Sequence, residues 1–92
     1  SDLMGIFSVY DMAAKRYLEP FFAPTMEFAI RGFREACETP GHQFSKFPED
    51  YTLYQLGEFD PETGQITGLS PEVKLANAGA MIVGNALEVV DG

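Results

Sequence analysis

Apolar and polar positions alternate early in the chain, and the alternation predicts a β-strand over residues 5–11 (GIFSVYD). A period of two places its side chains on opposite faces: Phe7 and Val9 on one, Ile6, Ser8 and Tyr10 on the other. Residues 17–23 (YLEPFFA) form a second extended segment. Because proline cannot donate a backbone hydrogen bond, Pro20 predicts an edge position or a bulge there.

A second pair of strands is predicted further along the chain, at residues 51–59 (YTLYQLGEF) and 65–69 (QITGL). Apolar residues lie on both faces of the first of these strands: Tyr51, Leu53 and Phe59 on one, Tyr54 and Leu56 on the other. Apolar residues on both faces suggest that the exposed side of the sheet does not face water. Residues 42–50 are predicted to form a loop.

Between these strand pairs, residues 25–41 carry the clearest helical pattern. Thr25 is a suitable N-cap, and Pro40 with Gly41 ends the helix. A stripe of apolar residues recurs at helical spacing: Ala29, Ile30, Phe33, Ala36 and Cys37. Gly32 weakens a helix, which suggests close packing at that position.

After residue 69 the pattern changes. Ser70 as N-cap, Pro71 at the first helical position and Gly79 as a stop predict a short helix over residues 70–79. The apolar segment that follows, residues 80–92, is predicted as either a last strand or a tail that docks on another subunit.

The fold class predicted from these elements is α+β. We expect a small antiparallel sheet of about four strands in ββαββ order, with the helix at residues 26–38 packed on one face. The 92 residues suit one domain, which we divide into a core unit at 4–69 and a C-terminal extension at 70–92.

The charge and composition of the chain exclude some classes of function and some kinds of site. A formal net charge of −8 argues against tight non-specific binding to nucleic acid or anionic membranes and favours a basic protein partner. Cys37 and His42 are the only cysteine and histidine, which rules out an intrachain disulfide and a zinc site of the usual spacing. Cys37 lies on the apolar stripe of the helix and is expected to be a buried structural thiol. We expect no metal, no cofactor and no enzymatic activity.

No apolar run approaches the ~20 residues that span a bilayer. The N-terminus also lacks the basic and apolar regions of a signal peptide. We therefore expect no association with a membrane.

The acidic stretch GEFDPETGQI at residues 57–66 has three possible interpretations: a metal loop, a catalytic cluster or a turn. An EF-hand loop needs glycine at position six and glutamate at position twelve. Counting from Asp60, glycine comes one position early and Pro71 takes position twelve. No nucleophile or base accompanies the acids. A bulged hairpin turn, with Gly64 in the left-handed conformation, fits best.

Three segments carry a family resemblance: FSVYD at 7–11, AIRGF at 29–33 and PEDYTLYQLGEFDPETGQI at 48–66. Together they resemble the small non-structural protein of gokushoviruses, the single-stranded-DNA bacteriophages of the Microviridae that include the chlamydia phages. The similarity covers residues 6 to 66. It implies a non-structural DNA-binding protein with a role in the switch to single-strand genome synthesis and in packaging, in the cytoplasm of the host bacterium.

Binding of single-stranded DNA needs cations for the phosphates and aromatic rings for base stacking. The candidates are a cluster at residues 15–17, a second cluster in the HQFSKFP segment near His42, and two helix arginines: Lys15, Arg16, Tyr17, Phe44, Lys46, Phe47, Arg31 and Arg34. Each also has an ordinary explanation. The first cluster fits a solvated loop, the phenylalanines of the second fit anchors of a loop to the core, and the arginines fit ion pairs with glutamates along the helix.

Exposed apolar residues of the sheet and the tail predict a homodimer or a higher oligomer. The expected interface comprises Tyr10, Tyr54, Leu56, Met81, Ile82 and Val83. As an alternative to DNA binding, the acidic chain would act as an interaction protein that docks a basic partner, such as a viral capsid or replication protein.

Overall fold

The computed structural model describes residues 2–82, and these form an antiparallel sheet with helices on one face. The elements in chain order are β1 (Met4–Asp11), β2 (Arg16–Tyr17), β3 (Phe21–Ala23), α1 (Met26–Glu38), α2 (Gln43–Lys46), a 3₁₀ turn (Pro48–Asp50), β4 (Tyr51–Phe59) and β5 (Ile66–Asn77). Residues 78–82 are helical. The strand order is β2-β1-β4-β5, and β3 also pairs with β1. The α+β class is therefore confirmed.

The sheet has five strands because the second predicted strand is divided in two. β2 and β3 pair with opposite ends of β1, and Pro20 lies between them, outside the ladder. The connection remains attached to β1, since the Leu18 N–H donates to the Val9 carbonyl at 2.8 Å and the Ser8 hydroxyl donates to the Leu18 carbonyl. The edge position predicted from Pro20 is confirmed.

The main helix α1 begins where its sequence predicts. The Phe28 N–H donates to the Thr25 hydroxyl oxygen at 3.0 Å, which is the expected N-cap. The apolar stripe faces the sheet: Ala29, Phe33 and Cys37 are buried, and Ile30 and Ala36 are half-buried. The close packing predicted at Gly32 is wrong, because this residue is exposed and a Cβ there would meet no atom within 4 Å.

We call the sheet face beneath the helices the covered face. Its core contains Phe7 and Leu53, both with no solvent exposure. Three aromatic rings from three elements pack beside them: the Phe44 ring lies 5.4 Å from that of Phe33 and 4.7 Å from that of Tyr51, between centroids. The predicted loop at 42–50 is thus partly helical, because burial of Phe44 folds its neighbours into α2 and the 3₁₀ turn.

A bulge in β4 overturns one predicted side-chain orientation. Ile6 pairs with Gly57 and Phe7 with Gln55, so Leu56 has no register partner in β1. One extra residue reverses the alternation that follows it. Phe59 therefore does not share a face with Leu53. It contacts Phe22 on the opposite face, with 5.6 Å between ring centroids.

The acidic stretch forms the predicted turn. Gly64 has a φ of +78°, the left-handed conformation that favours glycine. Its N–H donates to the Asp60 carbonyl at 2.7 Å, and the Asp60 carboxylate accepts from the Glu62 N–H at 2.9 Å. Asp60 thus uses its side chain to hold the loop.

The helix predicted over residues 70–79 is wrong, because β5 continues as a strand through Asn77. Pro71 is tolerated there for two reasons: β5 is an edge strand among the described residues, and Pro71 lies where its register with β4 shifts. Helical structure begins at residue 78, after Asn77 accepts hydrogen bonds from the N–H groups of Gly79 and Ala80. The predicted final strand or tail lies mostly at 83–92, outside the described residues.

Candidate nucleic-acid interface

The face of the sheet opposite the helices, which we call the open face, carries a group of three tyrosines. The Tyr17 ring lies 4.9 Å from that of Tyr10 and 5.8 Å from that of Tyr54, between centroids, both in edge-to-face geometry. This tyrosine cluster spans three strands, β1, β2 and β4. The small Ser8, opposite Tyr54 on the same face, is fully buried. The result is an amphipathic aromatic surface on a rigid sheet.

A tight hairpin between β1 and β2 positions Tyr17. The Asp11 carboxylate accepts hydrogen bonds from the N–H groups of Ala13 and Ala14, at 3.0 and 3.2 Å. Lys15 has a φ of +58°, and its N–H donates to the Asp11 carbonyl at 2.8 Å. The turn returns the chain so that Tyr17 pairs with Tyr10. The predicted Lys15–Arg16–Tyr17 cluster therefore lies on a structured hairpin instead of an open loop.

Positive charges border the tyrosine cluster on two sides. Arg16 is the register partner of Asp11 and, as the strand neighbour of Tyr17, points away from the open face at the β2 edge of the sheet. On the far side of the cluster, Lys74 of β5 is the register partner of Tyr54 and is exposed on the same face. Lys74 thus shares one surface with the aromatic rings, a combination that the binding of single-stranded nucleic acid uses, and Arg16 is exposed at the nearby edge of the sheet.

The groups around Tyr17 include a negative charge, which disfavours a bound phosphate. Partial burial raises the pKa of the Tyr17 hydroxyl, and the negative charge of Glu72 raises this pKa further. The hydroxyl therefore stays neutral at physiological pH and remains a hydrogen-bond donor. Glu72 also opposes any phosphate that approaches this side of the cluster.

The second predicted cluster is divided between core and solvent. Phe44 is buried against Phe33 and Tyr51, so its ring is not open to a base. His42 caps α2, with its Nδ1 accepting the Phe44 N–H at 3.0 Å. Lys46 and Phe47 are exposed, and Phe47 is 61% exposed. Only these last two residues of the cluster are open to a ligand.

The two helix arginines lie apart from the tyrosine cluster. α1 packs on the covered face, with Arg31 exposed and Arg34 half-buried on its outer side. A strand of DNA on the open face would be separated from both side chains by the sheet. The structure therefore does not join these arginines to the candidate interface.

The residues predicted for an oligomer interface are also divided. Tyr10 and Tyr54 lie in the tyrosine cluster, and Leu56 lies half-buried at the bulge. Met81 and Ile82 pack instead against the core of the covered face. Val83 lies outside the described residues. No single surface brings the described members of this set together.

Cys37 is buried, and burial raises the pKa of its thiol to about 11. A thiol with this pKa remains protonated at neutral pH and is a poor nucleophile.

Within residues 2–82, no three His, Cys, Asp or Glu side chains are grouped closely enough to hold a metal ion. Likewise, none of the described helices has the length and apolar character needed to cross a membrane.

Sequence reasoning missed the contribution of β5 to this surface. The segment at residues 72–75 alternates charged and apolar residues, Glu-Val-Lys-Leu, which is a strand signal. The Ser-Pro pair before it also fits a helix start, and the helix predicted from that pair replaces the strand in the sequence-based prediction. Asn77 was missed as well: its amide donates to the Tyr51 carbonyl at 3.2 Å and to the Thr52 hydroxyl at 3.0 Å, which joins β5 to β4.

Comparison with known proteins identifies a family. The model of a protein family described as Phage ORF5 protein matches residues 4–81. The matched range runs from the first residue of β1 to the helical residues after β5, so it includes the whole sheet. No curated protein and no solved structure matches the chain.

Proposed function

We propose a function from the premise that the chain belongs to the Phage ORF5 protein family, whose model matches most of its length. It is thus a phage protein. Our proposal is that it binds single-stranded DNA during replication or packaging of the viral genome, in the cytoplasm of the host bacterium. The resemblance of residues 6–66 to gokushovirus non-structural proteins supports the finer assignment to that group of phages.

The tyrosine cluster is the observation that carries this proposal. Tyr17 is 38% exposed, and Tyr10 and Tyr54 support it from two neighbouring strands. A base that stacks on an aromatic ring contributes about 1–3 kcal/mol to binding, whatever the sequence. Rings already fixed on a sheet lose little conformational entropy when a base stacks on them.

Phosphate contacts would come from the cations beside this cluster, which are Lys15, Arg16 and Lys74. Three contacts to single-stranded DNA predict that the logarithm of affinity falls with the logarithm of salt concentration with a slope of roughly −2. The net charge of −8 weakens binding overall. Stacking is therefore expected to supply much of the affinity, and without the hairpin cations the repulsion from the net negative charge is expected to prevent measurable binding.

A titration of labelled single-stranded oligonucleotide at two salt concentrations tests the proposal. We expect binding in the micromolar range that weakens with salt. A variant with Lys15→Glu and Arg16→Glu should abolish binding. The control variant, Lys46→Glu, reverses one exposed cation of the other predicted cluster, which is half the charge change of the hairpin variant, and should retain most of the affinity.

Absence of binding at low salt would reject direct DNA binding. A loss of binding free energy in the Lys46→Glu control that is half or more of the loss in the hairpin variant would reject the open face as the site, because the control changes the net charge half as much and the effect would then follow total charge instead of position.

The net charge of −8 favours a second candidate function. The protein would be an interaction protein that docks a basic viral or host protein, such as a capsid or replication protein. In that case oligonucleotide binding is absent while a basic partner binds with strong salt dependence. In both functions the protein acts through surface contact and without catalysis. The burial of the Cys37 thiol and the use of His42 in a helix cap support that part of the proposal.

A further inference from the structure

β5 is the outer strand of the sheet, and one part of it is open on its outer side. The described chain places only β4 beside it. Residues 70–74 are all exposed, and the apolar side chain of Val73 is 41% exposed between two charged neighbours. The edge of a sheet presents unpaired backbone N–H and C=O groups that another strand can pair with.

We infer that a second copy of this chain pairs with β5 to form a homodimer with one continuous sheet. The argument is charge complementarity. The strand contains only two charged residues, Glu72 and Lys74, and they flank Val73. In an antiparallel pairing centred on Val73, Glu72 of each copy lies opposite Lys74 of the other.

This register is selected over its neighbours by charge. Pairing centred on Glu72 or on Lys74 would place like charges directly opposite each other, which destabilises a strand pair. Pairing centred on Val73 gives two reciprocal ion pairs and also covers two exposed valines. Pro71 limits the ladder to a few residues because it has no N–H to donate. The dimer is therefore expected to be weak and to depend on protein concentration.

The symmetry of this pairing has a consequence for the open face. The two-fold axis runs perpendicular to the sheet, so each face continues into the same face of the second copy. Both tyrosine clusters then lie on one side of the dimer, with the two Glu72–Lys74 pairs between them. The inference does not depend on DNA binding, because it rests on the edge of β5 alone.

Charge reversal tests the register. Glu72→Lys alone creates two Lys–Lys contacts in the dimer, and Lys74→Glu alone creates two Glu–Glu contacts. Each variant should weaken dimerisation by on the order of tenfold to a hundredfold. The variant with both changes restores two opposite-charge pairs and should dimerise like the unmodified protein. Solution mass by sedimentation, over a concentration series, gives the dissociation constants.

A mixture of the two single variants gives the most direct test of the charge pairing. Glu72→Lys carries two lysines on the strand and Lys74→Glu carries two glutamates, so they should form a heterodimer when mixed although each dimerises poorly alone. Lys46→Glu, a reversal on the exposed side of α2, is the matched control and should leave the mass unchanged. Circular dichroism would check that every variant is folded.

A monomer at all concentrations would overturn the inference. A dimer whose stability does not respond to either single reversal would also overturn it, because the pairing would then lie elsewhere on the chain. DNA binding by such a protein would leave the proposed function standing.

Discussion

The two faces of the sheet use aromatic residues in different ways. On the covered face, the phenylalanines Phe7, Phe33 and Phe44 are buried with Leu53 in one continuous core. On the open face, the cluster consists of tyrosines, of which Tyr17 is exposed and Tyr10 and Tyr54 are half-buried. The sheet is thus stabilised from one side, and the other side presents rings that remain accessible to a ligand.

Within a single strand, residues that contribute to stability therefore alternate with residues that are available for binding. Neighbouring residues of β4 point to opposite faces, so Leu53 belongs to the core and Tyr54 to the tyrosine cluster. Burial of apolar area dominates the free energy of folding. We therefore attribute stability to the covered face and recognition to the open face.

The largest effect on the free energy of unfolding is expected from substitution at one of these two neighbouring residues. Leu53→Ala leaves a cavity beside Phe7 and should lower the free energy of unfolding by about 2–5 kcal/mol. Tyr54→Ala removes a half-buried ring from the open face and should cost less than half as much. Denaturant unfolding of both variants measures the difference. Equal losses would show that the open face is as much a part of the core as the covered face.

A smaller effect is expected at the bulge that moves Phe59 to the open face. A Cβ on Gly57 would lie 2.5 Å from the Thr67 carbonyl oxygen, whereas one on Gly68, its register partner, would meet nothing within 4 Å. Gly57→Ala should therefore destabilise the protein by about 1–3 kcal/mol through overpacking.

Gly68→Ala is the control for this substitution. It adds the same methyl group on the facing strand and should be neutral or slightly stabilising. Similar thermal midpoints for the two variants would contradict the close approach of the strands at Gly57.

The sequence predicts the elements that depend on local chemistry. Thr25 caps α1, Gly64 closes the turn, and alternation places Phe7 and Leu53 in the core. It does not predict features that depend on pairing between strands. The bulge at Leu56 follows from the register of β4 against its neighbours, and the adjacent Gly57, a residue common at bulges, does not by itself fix that register.

The candidate site was predictable only in part for the same reason. The sequence predicts Tyr17 as a member of a basic cluster, and Tyr10 and Tyr54 as parts of an interface. Their contact depends on the return of the chain at the β1–β2 hairpin and on the pairing of β1 with β4. The sequence does not place Lys74 at this surface, because Ser70 and Pro71 fit a helix start equally well.

The most direct test of the open face is an oligonucleotide titration of a variant with Tyr17→Ala and Tyr54→Ala, compared with Phe47→Ala. Phe47 is the more exposed ring, and it lies outside the tyrosine cluster. We expect the tyrosine variant to lose at least tenfold in affinity, since each stacked base contributes about 1–3 kcal/mol, and Phe47→Ala to bind like the unmodified protein. Unchanged affinity in a folded tyrosine variant, or a larger loss in Phe47→Ala, would contradict the assignment of recognition to the open face.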